Sequence, residues 1–331
     1  MIIGGQMMTQ DFEDSMKVTK KMDEFGFGRV WTVDSQMLWQ DSYVYGTSIL
    51  AQTENIVWGT AVSNPVLRHY SVSASAVATL DDLHPGRAIL GIGRGDSAVR
   101  TLGYRPMPTA EIEGTLRKTR KLLDGVVVDE DGSDVYLRWK QDHGRIPLMY
   151  AATGPTNLRI AGRVAEIVQL QVGTHPAAVE WAISQVHEGA KDEGRDPKDI
   201  NISLLCGMWV SDDIDEARKR TRWAASCATN HLEEVQRAGK DKVLPSVLSD
   251  VLKKKRDQYD YYGGHLDSKA EHSDYLSDEM IDDFSITGTA EVCLEKIKVL
   301  EDLGVGEISS GYYNGCIDQV EKVGREIVPH V

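Results

Sequence analysis

Six points along the chain place polar or backbone-permissive residues directly behind short apolar runs. Gln6 follows the first run, and Asp34, with Trp39 close behind, follows the second. Ser63-Asn64-Pro65 and then Arg68-His69-Tyr70 follow the third; Gly93-Arg94-Gly95-Asp96 follows the fourth. Thr153-Gly154-Pro155 and Gln171 follow the next two. Asp34 and Asp96 are candidates to exchange protons, if burial or pairing tunes them. Trp39 offers an aromatic wall, and Gln6 and Arg68 offer polar groups to a substrate. The sequence has no Walker loop, G-x-S-x-G elbow, H-E-x-x-H or His/Cys cluster with metal spacing, so no metal site is expected. Side chains alone cannot carry hydride, so redox chemistry here calls for an organic cofactor. Each residue also has a plainer reading. Asp34 could cap a helix, Trp39 could be packing, Arg68-His69 could be a surface turn, and Thr153-Gly154-Pro155 could simply lead into a helix.

Gly93-Arg94-Gly95-Asp96-Ser97-Ala98 fits the permissive pattern G-x-G-x-x-A and follows an apolar run, so a dinucleotide site has to be weighed. Three β/α units precede it, whereas that fingerprint belongs in the first unit. The acid expected about 20 residues later would fall inside a helical stretch. The glycines are better read as letting the backbone approach a flat cofactor ring.

The elements that must position these residues alternate regularly. Apolar runs at 1–5, 29–33, 56–62, 87–92, 147–151, 167–170, 200–210 and 306–310 read as strands. Between and after them come helical stretches. In the first, Phe12, Met16, Thr19, Met22 and Phe25 recur at helical spacing, with Asp11 as N-cap and Gly26 as stop. Others fall at 43–51, 71–82, 111–123, 157–164, 175–193, 291–303 and 317–328. Eight such units suit an α/β fold of the closed (β/α)8-barrel type, with an open doubly wound sheet as the alternative. In a barrel, catalytic groups sit at the C-terminal ends of the strands, where the six points fall. The chain, 1–331, is read as one barrel domain. Its charged segment 212–284, which holds Lys253-Lys254-Lys255-Arg256 and the polar stretch 263–277, is read as a helical insertion and possible lid, or else a solvated elaboration.

The 331 residues leave room for a barrel of roughly 250 plus an insertion. Hydrophobic residues make up 41%, and the net charge of −14 argues against nucleic acid or an anionic membrane as partner. Four cysteines, Cys206, Cys227, Cys293 and Cys316, have neither disulfide-framework nor zinc spacing and are expected as small buried side chains. Met1-Ile2-Ile3-Gly4-Gly5 has no signal-peptide pattern, and no run approaches the roughly 20 apolar residues of a membrane span, so a cytoplasmic protein is expected.

Several runs together resemble a known family: Gly59-Thr60-Ala61-Val62-Ser63-Asn64-Pro65, Arg68-His69, Ala78-Thr79-Leu80-Asp81-Asp82 and Gly86 through Asp96. Pro147 through Pro155, Gly162-Arg163, Ile286-Thr287-Gly288-Thr289 and Leu303-Gly304-Val305 extend the likeness. They resemble the luciferase-like monooxygenase superfamily and, within it, the methylenetetrahydromethanopterin reductases and related deazaflavin-dependent enzymes. The resemblance implies a bacterial-luciferase-like barrel, often dimeric, with the cofactor ring at the strand ends. It implies a non-prolyl cis peptide at Ala61-Val62, with Ser63 beside it. It further implies cofactor contacts from Asp34, Ala61, Val62, Ser63, Arg94, Gly95, Asp96, Thr153, Gly154 and Gln171. Catalytic roles fall to Asp34, Trp39 and Asp96, and substrate contacts to Gln6, Trp39 and Arg68. Two departures stand out: Arg94 replaces a small residue between the glycines, and Gln6 stands where several relatives carry an acid.

The activity so implied is hydride transfer between coenzyme F420 and a small organic substrate, by a homodimer or higher homo-oligomer. The alternative is an FMN-dependent monooxygenase served by a flavin reductase. A non-catalytic flavin-binding barrel is the third reading.

Overall fold

A computed structural model of the chain describes residues 1–140, 145–239, 244–255, 276–312 and 316–331. The sequence-level features at Arg256 and 263–275 lie outside the described residues. The barrel begins with β1 (Ile2–Met7), α1 (Phe12–Glu24), β2 (Arg29–Thr32), α2 (Ser42–Gln52), β3 (Val57–Thr60) and α3 (Tyr70–Leu83). It continues with β4 (Ala88–Ile92), the short α4 (Ser97–Arg100), α5 (Thr109–Leu123) and a hairpin of β5 (Val128–Glu130) and β6 (Ser133–Val135). Next come β7 (Leu148–Ala152), α6 (Pro155–Val164), β8 (Ile167–Leu170), α7 (Pro176–Asp192) and β9 (Asn201–Val210). Then follow α8 (Ile214–Gly239), α9 (Ser246–Lys255), α10 (Asp278–Asp282), β10 (Ser285–Gly288), α11 (Ala290–Asp302), β11 (Glu307–Tyr312) and α12 (Ile317–Glu326).

Eight parallel strands close on themselves in the order β1-β2-β3-β4-β7-β8-β9-β11, with β11 pairing back to β1 from Ile2↔Glu307 to Met7↔Tyr312. The closed barrel expected from the eight apolar runs is therefore present. The first helix starts as its sequence signals: Asp11 Oδ1 accepts from Asp14 N at 2.9 Å, and Gly26 takes φ +80° behind the last turn. Phe12 departs from the expected apolar stripe and is exposed.

Three features lie outside the sequence reading. The β5–β6 hairpin and α4 are too short to show a period. The four-residue β10 pairs with the far half of β9, Gly207–Val210, while Ser203–Cys206 of the same strand pair with β11. The ten residues of β9 thus meet three neighbours: β8 and β11 along the first half, and β10 along the second.

Alternate strand residues fill the barrel interior. Trp31, Ala61, Ile89, Met149 and Ile167 form its apolar part. Near its N-terminal end lies a buried charge cluster. Glu307 accepts from Trp31 Nε1 and from Arg29 at 2.7 Å each, and Arg29 also donates to Asn201 Oδ1 at 2.8 Å. Gly4 leaves room for it, since a Cβ there would collide with the Glu307 carboxylate. The larger core lies between strands and outer helices, with Trp58, Tyr45 and Ile49 among its buried members.

Candidate active site

The site is built where β3 and β4 part. Thr60 Oγ1 takes the place of the strand ladder: it donates to Gly91 O at 2.7 Å and accepts from Gly91 N at 2.9 Å. Pairing resumes two residues on, with Ser63 N donating to Gly91 O and Gly93 N to Ser63 O, each at 2.9 Å. The two skipped residues, Ala61 and Val62, are joined by a cis peptide bond and face a cavity, and Gln6 Nε2 donates to Ala61 O at 3.2 Å. Gly93 must be a glycine, because a Cβ would lie 2.6 Å from Val62 Cγ2.

The cavity, of about 750 Å³, opens at the C-terminal ends of the strands. Its walls differ in chemistry. Met8, Trp39, Leu205 and Trp223 form an apolar side. Gly93, Arg94 and Gly95 form an edge after β4; Arg94 is held there by its Nε donating to Met107 O at 2.6 Å. Thr153 and Gly154 bring in the start of α6, where Gly154 is an N-cap with no side-chain cap. At depth, Gln6 Oε1 and Gln169 Nε2 are buried without a hydrogen-bond partner.

The remaining side is ionic. Asp96 Oδ1 accepts from Arg100 Nε at 2.7 Å, and Arg100 also pairs with Glu234 of α8. His231, again from α8, lies between two acceptors: Nδ1 is 2.7 Å from Gln171 Oε1 and Nε2 is 3.3 Å from Asp96 Oδ2. Burial works against its charge, but the hydrogen bond and charge of Asp96, aided by Glu234 and opposed by Arg100, raise its pKa above the ordinary histidine value.

Gln6, Asp34, Trp39, Ala61, Val62, Arg94, Gly95, Asp96, Thr153, Gly154 and Gln171 all line this one cavity. Ser63 and Arg68 do not. Ser63 is buried behind the bulge and donates its hydroxyl to Asp34 Oδ2 at 2.7 Å. Arg68 is turned toward the protein rather than the cavity. Its Nε donates to Asp34 Oδ2 at 2.9 Å and its Nη2 to Asp34 Oδ1 at 3.3 Å, and it also pairs with Asp41. Both oxygens of Asp34 are therefore occupied, and Asp41, not Asp34, caps α2.

Sequence reasoning missed Gln169, Tyr150 and the whole contribution of α8: Trp223, Cys227, His231, Glu234 and Val235. Their spacing of four, four, three and one residues puts them on one helical face, which is a visible signal once the helix is known to cover the barrel mouth. No cysteine is disulfide-bonded, and Cys227 is partly exposed in the cavity wall, unlike the three buried ones. Among the described residues, no helix is long and apolar enough to cross a membrane.

A sequence model of the luciferase-like monooxygenases matches residues 3–307. The chain belongs to this family. The 5,10-methylenetetrahydromethanopterin reductase of Methanolobus tindarius is 29% identical to it over 325 residues, covering 93% of this chain and 94% of that protein. The F420-dependent glucose-6-phosphate dehydrogenase of Beutenbergia cavernae is 31% identical over 264 residues, covering 73% and 77%. The solved structure of the coenzyme F420 dependent tetrahydromethanopterin reductase from Methanopyrus kandleri shares the fold, with a TM-score of 0.78 at 22% identity and 99% coverage of both chains.

Proposed function

We propose that this luciferase-like chain is a coenzyme F420-dependent oxidoreductase that moves hydride between the deazaflavin and a carbon of a small organic substrate. The observation that carries the reading is the pair of buried, unpartnered atoms, Gln6 Oε1 and Gln169 Nε2, in a cavity walled on one side by Ala61–Val62 and on another by Met8, Trp39 and Trp223. One is an acceptor and the other a donor, as the edge of a deazaflavin heterocycle requires. Unpaired buried polar groups cost stability, so a bound ring that satisfies both is favoured. The relatives named above point the same way.

Bound deazaflavin supplies a two-electron hydride carrier; the protein supplies placement and protons. Val62 and Gly93 support the ring from the bulge side. Gly154 and the first turn of α6 leave backbone N–H groups for an anionic tail. Trp39 and Trp223 exclude water from the substrate side. Asp96 with His231 exchanges protons, and Asp34, held by Arg68 and Ser63, orients polar groups of cofactor or substrate. We read 1–331 as one barrel and 212–284 as its lid, because α8 brings a continuous stripe of residues to the cavity. A homodimer or higher homo-oligomer is expected.

Titrating the purified chain with coenzyme F420 and with FMN, by fluorescence, tests the reading. The expected result is a lower Kd for F420. Tighter FMN binding, with substrate oxygenation when a flavin reductase is supplied, would replace it by the monooxygenase reading.

A further inference from the structure

Helix α8 reaches the cavity with one stripe of side chains, and His231 on that stripe joins two separate strand ends. Its Nδ1 faces the amide oxygen of Gln171 behind β8, and its Nε2 faces the carboxylate of Asp96 behind β4. A neutral imidazole has one donor and one acceptor nitrogen, so two facing acceptors are both satisfied only by the doubly protonated ring. When that proton leaves, the Gln171 amide can rotate and present its N–H to the bare nitrogen. The site therefore has hydrogen bonds ready for both protonation states.

The surrounding charges favour the charged ring. Asp96 favours the imidazolium directly, and Glu234, one turn further along α8, adds to it. Arg100 on α4 opposes it, but is itself engaged by Asp96 and Glu234. The side chains of His231 and Asp96 are each 28% exposed, so protons can be exchanged with solvent between turnovers. An ordinary histidine titrates at about 6.5, and a rise from there keeps the imidazole protonated and ready to act as a general acid at neutral pH.

We propose that His231 and Asp96 form one proton-exchanging pair, and that His231, supplied by the α8 insertion, is the catalytic acid of the reductive direction and the base of the oxidative one. This rests on the hydride-transfer reading above. In reduction, the carbon of a C=O or C=N group takes hydride from the bound reduced deazaflavin and its π bond breaks toward the heteroatom. The heteroatom then takes the proton held by the pair, leaving neutral His231 beside the Asp96 carboxylate. Solvent restores the proton. Oxidation runs the same steps backward. The pair thus serves substrates whose reacting carbon bears oxygen or nitrogen.

Histidine imidazole NMR titration of the cofactor-free chain tests the pair without relying on any cofactor. His231 is expected to titrate above the ordinary value and to fall in Asp96→Asn. A midpoint at or below about 6.5 that Asp96→Asn leaves in place overturns the proposal. Kinetics with saturating F420 give the second readout. In His231→Gln, kcat of reduction should fall about 10²–10³-fold while KM and the F420 Kd stay within about threefold. The loss of rate that the parent shows as pH rises through the pair should vanish. An unaltered pH profile, or losses confined to KM and cofactor affinity, would make His231 a structural clip. If F420 fails to bind at all, the NMR result still decides the pair, and only the hydride-transfer reading is lost.

Discussion

Arg68 grips Asp34 through two different nitrogens, Nε at 2.9 Å and Nη2 at 3.3 Å, and thereby fixes a 5%-exposed carboxylate at the cavity wall from behind. Such a forked pair sets the plane of the carboxylate as well as its place. The guanidinium carbon of Arg68 lies 4.6 Å from the centre of the Tyr43 ring, so a cation–π contact braces it too.

Arg68→Met should keep the apolar bulk of the side chain and remove both the charge and the contact with the Tyr43 ring. Hydrogen bonds to charged groups are worth about 1.5–3 kcal/mol, and the partial exposure of Arg68 places the expected loss at the lower end. A urea midpoint unchanged from the parent would mean that water serves Asp34 as well as the guanidinium does.

Asp96→Asn keeps the shape of the side chain and removes its charge. Turnover should fall by about 10²–10⁴-fold, with F420 affinity and the thermal midpoint close to the parent. Turnover within about twofold of the parent would reduce Asp96 to a residue that merely shapes the loop ahead of α4.

Gly91 sits where β3 and β4 part, and a Cβ there would lie 1.8 Å from Thr60 O and 2.6 Å from Met149 Cε. The backbone oxygen cannot move away without breaking the bulge. Gly91→Ala should therefore cost about 3 kcal/mol, the upper range for overpacking, or prevent folding. A calorimetric melt within a degree or two of the parent would contradict the close approach described.

Glu113 clips α5 to α6: its carboxylate accepts from Arg163 Nη2 at 2.7 Å and from Arg117 Nη2 at 2.8 Å. The hydrogen bond from Arg163 leads in lowering its pKa, ahead of the opposing effect of burial and the help of Arg117. With a folded value below the unfolded one, the stabilisation is complete above the ordinary glutamate value of about 4.3 and is lost as pH falls through the folded value. Glu113→Gln should be less stable than the parent at neutral pH, and the gap should close on acidification. A gap that stays constant down to pH 2–3 would show the pair to be energetically idle.

The fold was legible because the barrel strands are apolar runs and some helices carry their own stops, as Asp11 and Gly26 do for α1. Most cavity residues were legible too, because a parallel barrel brings the ends of its strands together whatever their sequence separation. Arg68 was misplaced: spacing cannot reveal whether a long side chain turns toward a cavity or back onto a carboxylate. His231 was missed for a different reason. It sits mid-helix in a charged segment, 135 residues from Asp96, and nothing local distinguishes it from a solvated histidine. The four residues of β10 carry too little pattern to read, since their pairing depends on β9 running on past the end of β8.

That overrun of β9 separates two tasks. Closure onto β11 uses Ser203–Cys206, while β10 is received by Gly207–Val210. Everything between β9 and β10 can therefore lengthen, shorten or be exchanged without shifting the register that shuts the barrel. The floor contributed by Ala61, Val62 and Gly93 is inherited from one part of the chain, and the wall contributed by Trp223, Cys227 and His231 from another. Such a scaffold can change one wall of the cavity by replacing a single contiguous stretch of gene while the floor stays as it was.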